Sequence, residues 1–256
     1  MKEIYWMLRF VKRSLRSQFR LWSRDLKAWQ RFWRSYRCYT KLVSTDSSTL
    51  LEHLYPCLGD DLRETPIEPI YFYQDAWAFD NIVKQSPSFH VDVGSHHKFV
   101  ALLSKVLPVV FVDIRPMSLS MDTIEYKAGS ILDLPFDSDS VPSVSSLCVV
   151  EHIGLGRYGD PLDPDGSEKA VKELCRIVQP NGNLYISFPI LESNRTYFNA
   201  HRAFQEEYIL SLTDSFKIVE NRYIYGKEFC WTRKSGFGIG CYHLQKSKVV
   251  YEYSNS

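Results

Sequence analysis

The run His90-Val91-Asp92-Val93-Gly94-Ser95-His96-His97-Lys98-Phe99 is where residue types and spacing in this chain first suggest chemistry. A short apolar strand leads into an acid, a tight glycine turn and the start of a helix. That local pattern holds nucleotide-type cofactors at the edge of a parallel sheet. Twenty-one positions beyond Asp92, a second apolar run, Val109-Val110-Phe111-Val112, ends in Asp113. A carboxylate at that tip can accept hydrogen bonds from a ribose diol, because both strand ends open into one crevice.

Two histidines are candidates for proton transfer. His152 follows the apolar run that ends at Val150, and His201 lies in Asn199-Ala200-His201-Arg202. Histidine is the side chain most readily tuned for acid–base work near neutral pH. Each also admits a plainer reading, a buried structural hydrogen bond for His152 and a packing role for His201. Asn199 and Arg202 beside His201 suggest a polar, acceptor-contacting group. The loop Gly154-Leu155-Gly156-Arg157-Tyr158-Gly159-Asp160-Pro161-Leu162-Asp163-Pro164-Asp165-Gly166 leaves the end of the fourth strand, where ligands bind in open α/β sheets. It reads either as an acceptor-binding loop, with Arg157 available to a phosphate or carboxylate, or as a solvated loop feeding a helix capped at Asp165. His96 and His97 are adjacent, so their side chains diverge, and no metal site is expected.

These residues need elements to position them. Strand signals fall near 88–93, 108–113, 123–127, 144–150, 183–189, 216–224 and 239–246, and helix signals near 96–106, 166–178 and 202–213. The alternation predicts a mostly parallel, seven-stranded α/β sheet covered on both faces. Gln179-Pro180-Asn181-Gly182 marks the return from helix to strand. The aromatic stretch Tyr71-Phe72-Tyr73-Gln74-Asp75-Ala76-Trp77-Ala78-Phe79 reads as a helix packed over the sheet or as a lid on the cofactor. With 256 residues, 45% hydrophobic and 24% charged, the chain can bury one good core and a short appendage. The six cysteines include no zinc-like pair, which predicts a reducing, cytoplasmic compartment. No signal-peptide pattern and no run near the roughly 20 apolar residues of a membrane span is found. The expectation is a chain that neither crosses a membrane nor is secreted.

The net charge of +1 conceals an asymmetry: residues 1–42 hold twelve Lys or Arg against two acids, a local +10, leaving −9 for the rest. Leu8, Val11, Leu15, Phe19, Trp22, Leu26, Trp29, Trp33 and Tyr36 recur at steps of three and four, with bases between them. This predicts a basic amphipathic helical arm over 1–43. Such an arm could lie on an anionic membrane, pack against a protein surface, or meet nucleic acid. An acidic body disfavours nucleic acid. A linker and aromatic lid segment is expected over 44–87, and the α/β domain over 88–250.

The series His90-Val91-Asp92-Val93-Gly94-Ser95, Phe111-Val112-Asp113, Gly129-Ser130-Ile131-Leu132-Asp133-Leu134-Pro135-Phe136, Val149-Val150-Glu151-His152-Ile153 and Gln179-Pro180-Asn181-Gly182 resembles the ordered motifs of class I S-adenosylmethionine-dependent methyltransferases over roughly residues 88–190. More narrowly, Phe72-Tyr73-Gln74-Asp75-Ala76-Trp77, Val112-Asp113-Ile114-Arg115-Pro116, the Glu151-to-Pro161 run and Phe198-Asn199-Ala200-His201-Arg202 resemble family 268 of the domains of unknown function, with members among polysaccharide-assembly genes and in nematodes. The resemblance implies a Rossmann-like class I methyltransferase sandwich with S-adenosylmethionine as cofactor. In it Asp92, Gly94 and Ser95 would shape the turn against the methionine part, Asp113 would bind the ribose, and Ser130 and Ile131 would flank the adenine. Where that superfamily commonly has further glycines this chain has His96 and Lys98, and Ser130 stands where an acid is common. The implied functions are methyl transfer to a sugar or glycan intermediate, or another small molecule, at the cytoplasmic membrane face, or a non-catalytic methyltransferase-like scaffold in a polysaccharide-assembly complex. His152 and His201 would serve as bases, and Arg157, Asn199 and Arg202 as acceptor contacts.

Overall fold

A computed structural model describes residues 26–42, 53–115 and 117–248. Most of the expected arm, its linker from Ser44 to Thr49, and Pro116 fall outside the described residues. The chain divides into two compact units, 1–66 and 67–256, so the expected lid segment 44–87 is shared between them. In the first unit residues 26–39 are helical. Trp29 stacks on Trp33 with centroids 6.2 Å apart, Tyr36 meets Trp33 edge-on, and the two tryptophans stay 39% and 40% exposed. Arg31 pairs with Asp61 at 2.9 Å. Among the described residues no helix is long and apolar enough to cross a membrane.

The second unit opens with α1 (Pro69–Gln85). Glu68 caps it through the N–H of Ile70, Pro69 occupies the first turn where no N–H is needed, and Ser86 ends it in a left-handed conformation. Gln74, Trp77, Ala78 and Ile82 face inward. The aromatic stretch is therefore a packing helix, and Tyr71 alone of its residues reaches the cavity described below. After it come β1 (His90–Val93), α2 (His97–Leu103), β2 (Val109–Asp113), β3 (Ile124–Ala128), β4 (Val141–Leu147), α3 (Gly166–Ile177) and β5 (Val178–Ile190). The hairpin β6 (Arg195–Tyr197) and β7 (His201–Ala203), α4 (Glu206–Leu210), β8 (Phe216–Tyr225), β9 (Glu228–Cys230) and β10 (Gly238–Lys246) complete it.

The sheet runs β3-β2-β1-β4-β5-β10-β8-β9, with β10 antiparallel to both neighbours. The seven expected strands are present, and the short β9, hairpinned on β8, makes an eighth. Period-two alternation splits the core into two layers. Val110 and Val112 of β2 join Leu184, Ile186 and Phe188 of β5 beneath Ala170, Val171 and Leu174 of α3. Val109 and Phe111 turn to the other face, under Trp77 and Ile82 of α1 and Phe99 and Leu103 of α2. β1 is buried at all four positions, as a parallel strand covered on both faces must be.

Two expected elements are corrected. The fourth strand ends at Leu147 rather than near 150, because Cys148 takes a φ of 53° and Val150–His152 coil into a 3-10 turn. The helix expected over 202–213 gives way at its start to β7. Asn199, at φ 59°, turns the chain back on β6, and Phe204 bonds Pro189 O and Leu191 N beside β5.

Candidate functional site

The strand order reverses between β1 and β4, and the crevice outside their carboxyl ends is where open α/β sheets bind ligands. Here it is a cavity of about 550 Å³ lined by Tyr71, Gly94 to His97, Asp113 to Arg115, Met117 to Leu119, Gly129, Ile131, Cys148, Val149, His152 and Tyr158, among others. Gly94 makes the turn at φ 71°, and a Cβ there would sit 3.1 Å from Val149 Cγ1. Only glycine allows both that conformation and that approach.

Asp92 lies beneath the turn rather than on the cavity wall. Its Oδ1 accepts from Ser95 N–H at 3.0 Å, and its Oδ2 accepts from the Ser145 hydroxyl. Because Ser145 donates to Asp92, its oxygen is left to accept from His90 Nε2–H at 2.8 Å, and His90 Nδ1 then accepts from Ser143 at 2.7 Å. Burial lifts the Asp92 carboxyl to about 6 and drops the His90 imidazole to about 3. Ser95 Oγ accepts from Leu147 N–H at 3.0 Å, locking the turn to β4.

Asp113 stands at the tip of β2 as the sequence requires, with its carboxylate already approached by Arg115. The Arg115 backbone N–H donates to Oδ1 at 2.7 Å, and the guanidinium reaches both oxygens at 3.3 and 3.4 Å. Gly129 and Ile131 line the cavity. Ser130 does not, since its hydroxyl accepts from Leu132 N–H inside its own turn.

Past β4 the chain supplies the reactive groups. His152 Nδ1 lies 2.6 Å from Ala200 O; a carbonyl only accepts, so Nδ1 carries the proton and Nε2 the lone pair. Burial, only partly opposed by that bond, lowers the imidazole to about 4. Its neighbour Glu151 is buried, with Oε1 3.8 Å from His152 Nε2 and Oε2 without a partner among the described residues. Burial pushes the Glu151 carboxyl up to about 8. Arg157 donates to Ala200 O at 2.9 Å. The Tyr158 ring lies 4.6 Å from the Arg115 guanidinium carbon and 5.1 Å from that of Arg157. Asp160 gathers the loop by accepting from the N–H groups of Gly154 at 2.6 Å and Tyr158 at 3.2 Å.

The hairpin after β5 locks onto this loop. All four terminal N–H groups of Arg202 are engaged: Nη1 by Ile153 O at 2.5 Å and Ser167 Oγ at 2.9 Å, Nη2 by Asp163 O at 3.0 Å and Pro164 O at 3.2 Å. Arg202 is thus placed to hold the loop, away from the cavity. His201 packs its ring against Tyr197 and Phe237, and Asn199 occupies the exposed hairpin turn; neither lines the cavity. Of the residues singled out from sequence, Gly94, Ser95, Asp113, Ile131 and His152 converge on the cavity. Tyr158 and the buried acid Glu151 were not among them. Glu151 stood in plain view beside His152, while Tyr158 was hidden in a glycine-rich loop that carries no periodicity.

Residues 112–227 match the family described as Caenorhabditis protein of unknown function, DUF268, the family whose motifs the sequence resembles. No curated protein matches the chain. Among solved structures, the N-methyltransferase NodS from Bradyrhizobium japonicum aligns at 14% identity and a TM-score of 0.53, over 71% of this chain and 98% of that one. A putative sarcosine dimethylglycine methyltransferase from Galdieria sulphuraria aligns at 16% and 0.52, over 69% and 86%. The 1,6-didemethyltoxoflavin-N1-methyltransferase of Burkholderia thailandensis, solved with bound 1,6-didemethyltoxoflavin and S-adenosylhomocysteine, aligns at 14% and 0.51, over 69% and 79%. The fold is the Rossmann-like sandwich of class I methyltransferases.

Proposed function

We propose that the chain is an S-adenosylmethionine-dependent methyltransferase. The observation that carries this reading is the convergence of the Gly94 turn, the Asp113 carboxylate and His152 on one cavity. Its volume suits a cofactor-sized ligand, for which roughly 300–1,000 Å³ is usual. The residues present fit the cofactor: Gly94 leaves the backbone open, Asp113 offers carboxylate oxygens to the ribose, and Ile131, Met117 and Leu119 offer apolar surface to the adenine.

When bound, S-adenosylmethionine supplies a methyl carbon that already carries its leaving group. What the protein adds is alignment and a place for the acceptor's proton. His152 presents Nε2 as a free base at every pH well above 4, with its ring orientation fixed by Ala200 O. Tyr158 lines the cavity and carries the Arg157 guanidinium over its ring, and the two favour an acceptor with a polar or anionic group. His201, with Asn199, stands one hairpin away and would contact only an acceptor large enough to reach past the loop.

A sugar or glycan intermediate as acceptor, and action at the cytoplasmic face of a membrane, complete the proposal. The family resemblance supports the first. The exposed Trp29 and Trp33 on a helix bearing Arg31, Arg34 and Arg37 support the second. The grip of Arg115 on Asp113 favours the second reading, a non-catalytic scaffold. Calorimetric titration of the full chain with S-adenosylhomocysteine tests the reading. Binding should be weakened about tenfold or more by Asp113→Ala, which removes charge-assisted hydrogen bonds. Absence of binding to wild type at millimolar ligand would overturn the enzyme reading.

A further inference from the structure

At the end of β1 the cavity wall consists of three rings. Tyr71 lies against His96 with centroids 5.0 Å apart and a tilt of 37°, and His96 lies against His97 at 4.4 Å and 34°. All three line the cavity. None of these side chains has an evident duty in the fold. His96 occupies the N-cap position of α2, yet its ring makes no capping bond. Its Nδ1 is shut away from solvent with no partner among the described residues, so Nε2 is the nitrogen left for a ligand. Tyr71 projects from the first turn of α1 and remains 42% exposed.

The rest of the cavity is already allotted. Asp113 takes the ribose, and the apolar side chains beyond β2 take the adenine. The amino-acid end of the cofactor is therefore left with the β1 side. Its carboxylate needs hydrogen-bond donors, and a phenol and two imidazoles can each supply one. Where an open glycine turn would offer only backbone, this turn carries His96 and His97.

We propose that Tyr71, His96 and His97 form the subsite for the carboxylate of the cofactor's amino-acid end, recognising by side chains what a bare turn meets with backbone. This rests on the cofactor reading above, and the test separates the two. The full chain is titrated with S-adenosylhomocysteine and with 5′-methylthioadenosine, which keeps the adenine and ribose but lacks the amino-acid end. Wild type should bind the first at least about tenfold more tightly, the size of one hydrogen bond to a charged group. His96→Ala and Tyr71→Phe should each bring S-adenosylhomocysteine toward the affinity of 5′-methylthioadenosine and leave the latter unchanged. Tyr71→Phe removes a single oxygen from a partly exposed residue, so its folding is not at stake. Equal wild-type affinity for the two ligands overturns the subsite and leaves the cofactor site standing. So does an equal loss for both ligands in Tyr71→Phe, or no loss for either. Wild type that binds neither ligand overturns the subsite together with the cofactor reading.

Discussion

Replacing Arg202 with Ala tests how the loop after β4 is held. The guanidinium is buried and donates four bonds, to three backbone carbonyls and one hydroxyl. Bonds to a charged group are worth roughly 1.5–3 kcal/mol each, so simple addition would give roughly 6–12 kcal/mol. Addition overshoots, because the bonds form one network and the carbonyls of Asp163 and Pro164, both in the loop, can recruit water once the side chain is gone. The bonds to Ile153 O and the buried Ser167 cannot relax in that way. A loss of about 3–5 kcal/mol, the usual cost of breaking a buried charged network, is the expected outcome. In a unit of this size that lowers the melting temperature by roughly 6–20 °C. Arg202→Lys keeps the charge but not the fork, and should fall between the two. Thermal unfolding followed by circular dichroism reads the result. If Arg202→Ala melts within about 2 °C of wild type, the guanidinium does not hold the loop and is free to serve an acceptor.

Three further predictions follow from the same geometry. Burial raises Glu151 from its ordinary 4.5 to about 8, so the folded chain binds the extra proton and the stabilisation is lost as pH rises through about 8. The melting temperature should decline between pH 6.5 and 8, and Glu151→Gln should remove most of that decline, Asp75, raised to about 7, supplying a smaller part at its lower end; parallel slopes in the two proteins would sink the idea. Gly94→Ala forces a side chain into φ 71° against Val149, and should cost about 1–3 kcal/mol and weaken S-adenosylhomocysteine binding; calorimetry showing neither would mean the turn has slack. Vesicles of anionic lipid should carry down the full chain but not a version beginning at Ser44, since each base near the surface contributes about 1 kcal/mol; equal sedimentation refutes the tether.

The parts of the fold legible in sequence were those whose physics is local. β2 announced itself because a strand buried on both faces is apolar nearly throughout, which made Asp113 conspicuous at its end, and β1 showed through Val91 and Val93 ahead of the Gly94 turn, with Asp92 inside the strand. β4 was read three residues late for the complementary reason. Its buried Ser143 and Ser145 serve the His90–Asp92 network and Ser146 donates to Val93 O, so a strand inside the core looked polar, while apolar Val149 and Val150 lie beyond the kink at Cys148. The residues of β7 fit a helix as well as a strand until Asn199 is known to turn the chain. Arg202 could not be assigned from sequence, because its partners are backbone groups and a hydroxyl 35 to 49 positions away. Nothing in local spacing encodes such a pairing, and a polar residue beside a histidine looks the same whether it faces an acceptor or a carbonyl.

The pairing of Arg115 with Asp113 bears most directly on whether the cavity works as a cofactor site. Two of its three contacts are long, 3.3 and 3.4 Å, and the Arg115 side chain is 57% exposed. The guanidinium end is screened by solvent although the Asp113 side chain is only 11% exposed, so the pair contributes about 1 kcal/mol. A ribose diol offers two hydrogen bonds to the same carboxylate, each worth roughly 1.5–3 kcal/mol. The short bond, from the Arg115 backbone at 2.7 Å, orients Oδ1 without filling its second lone pair. The diol therefore outcompetes the guanidinium while the backbone contact stays in place. Displaced from Asp113, the guanidinium still has the face of Tyr158 to rest on, and Tyr158 is also the ring that Arg157 covers. Both cations thus stand beside one aromatic ring at the cavity wall with or without the ribose, where they favour the approach of an anionic acceptor.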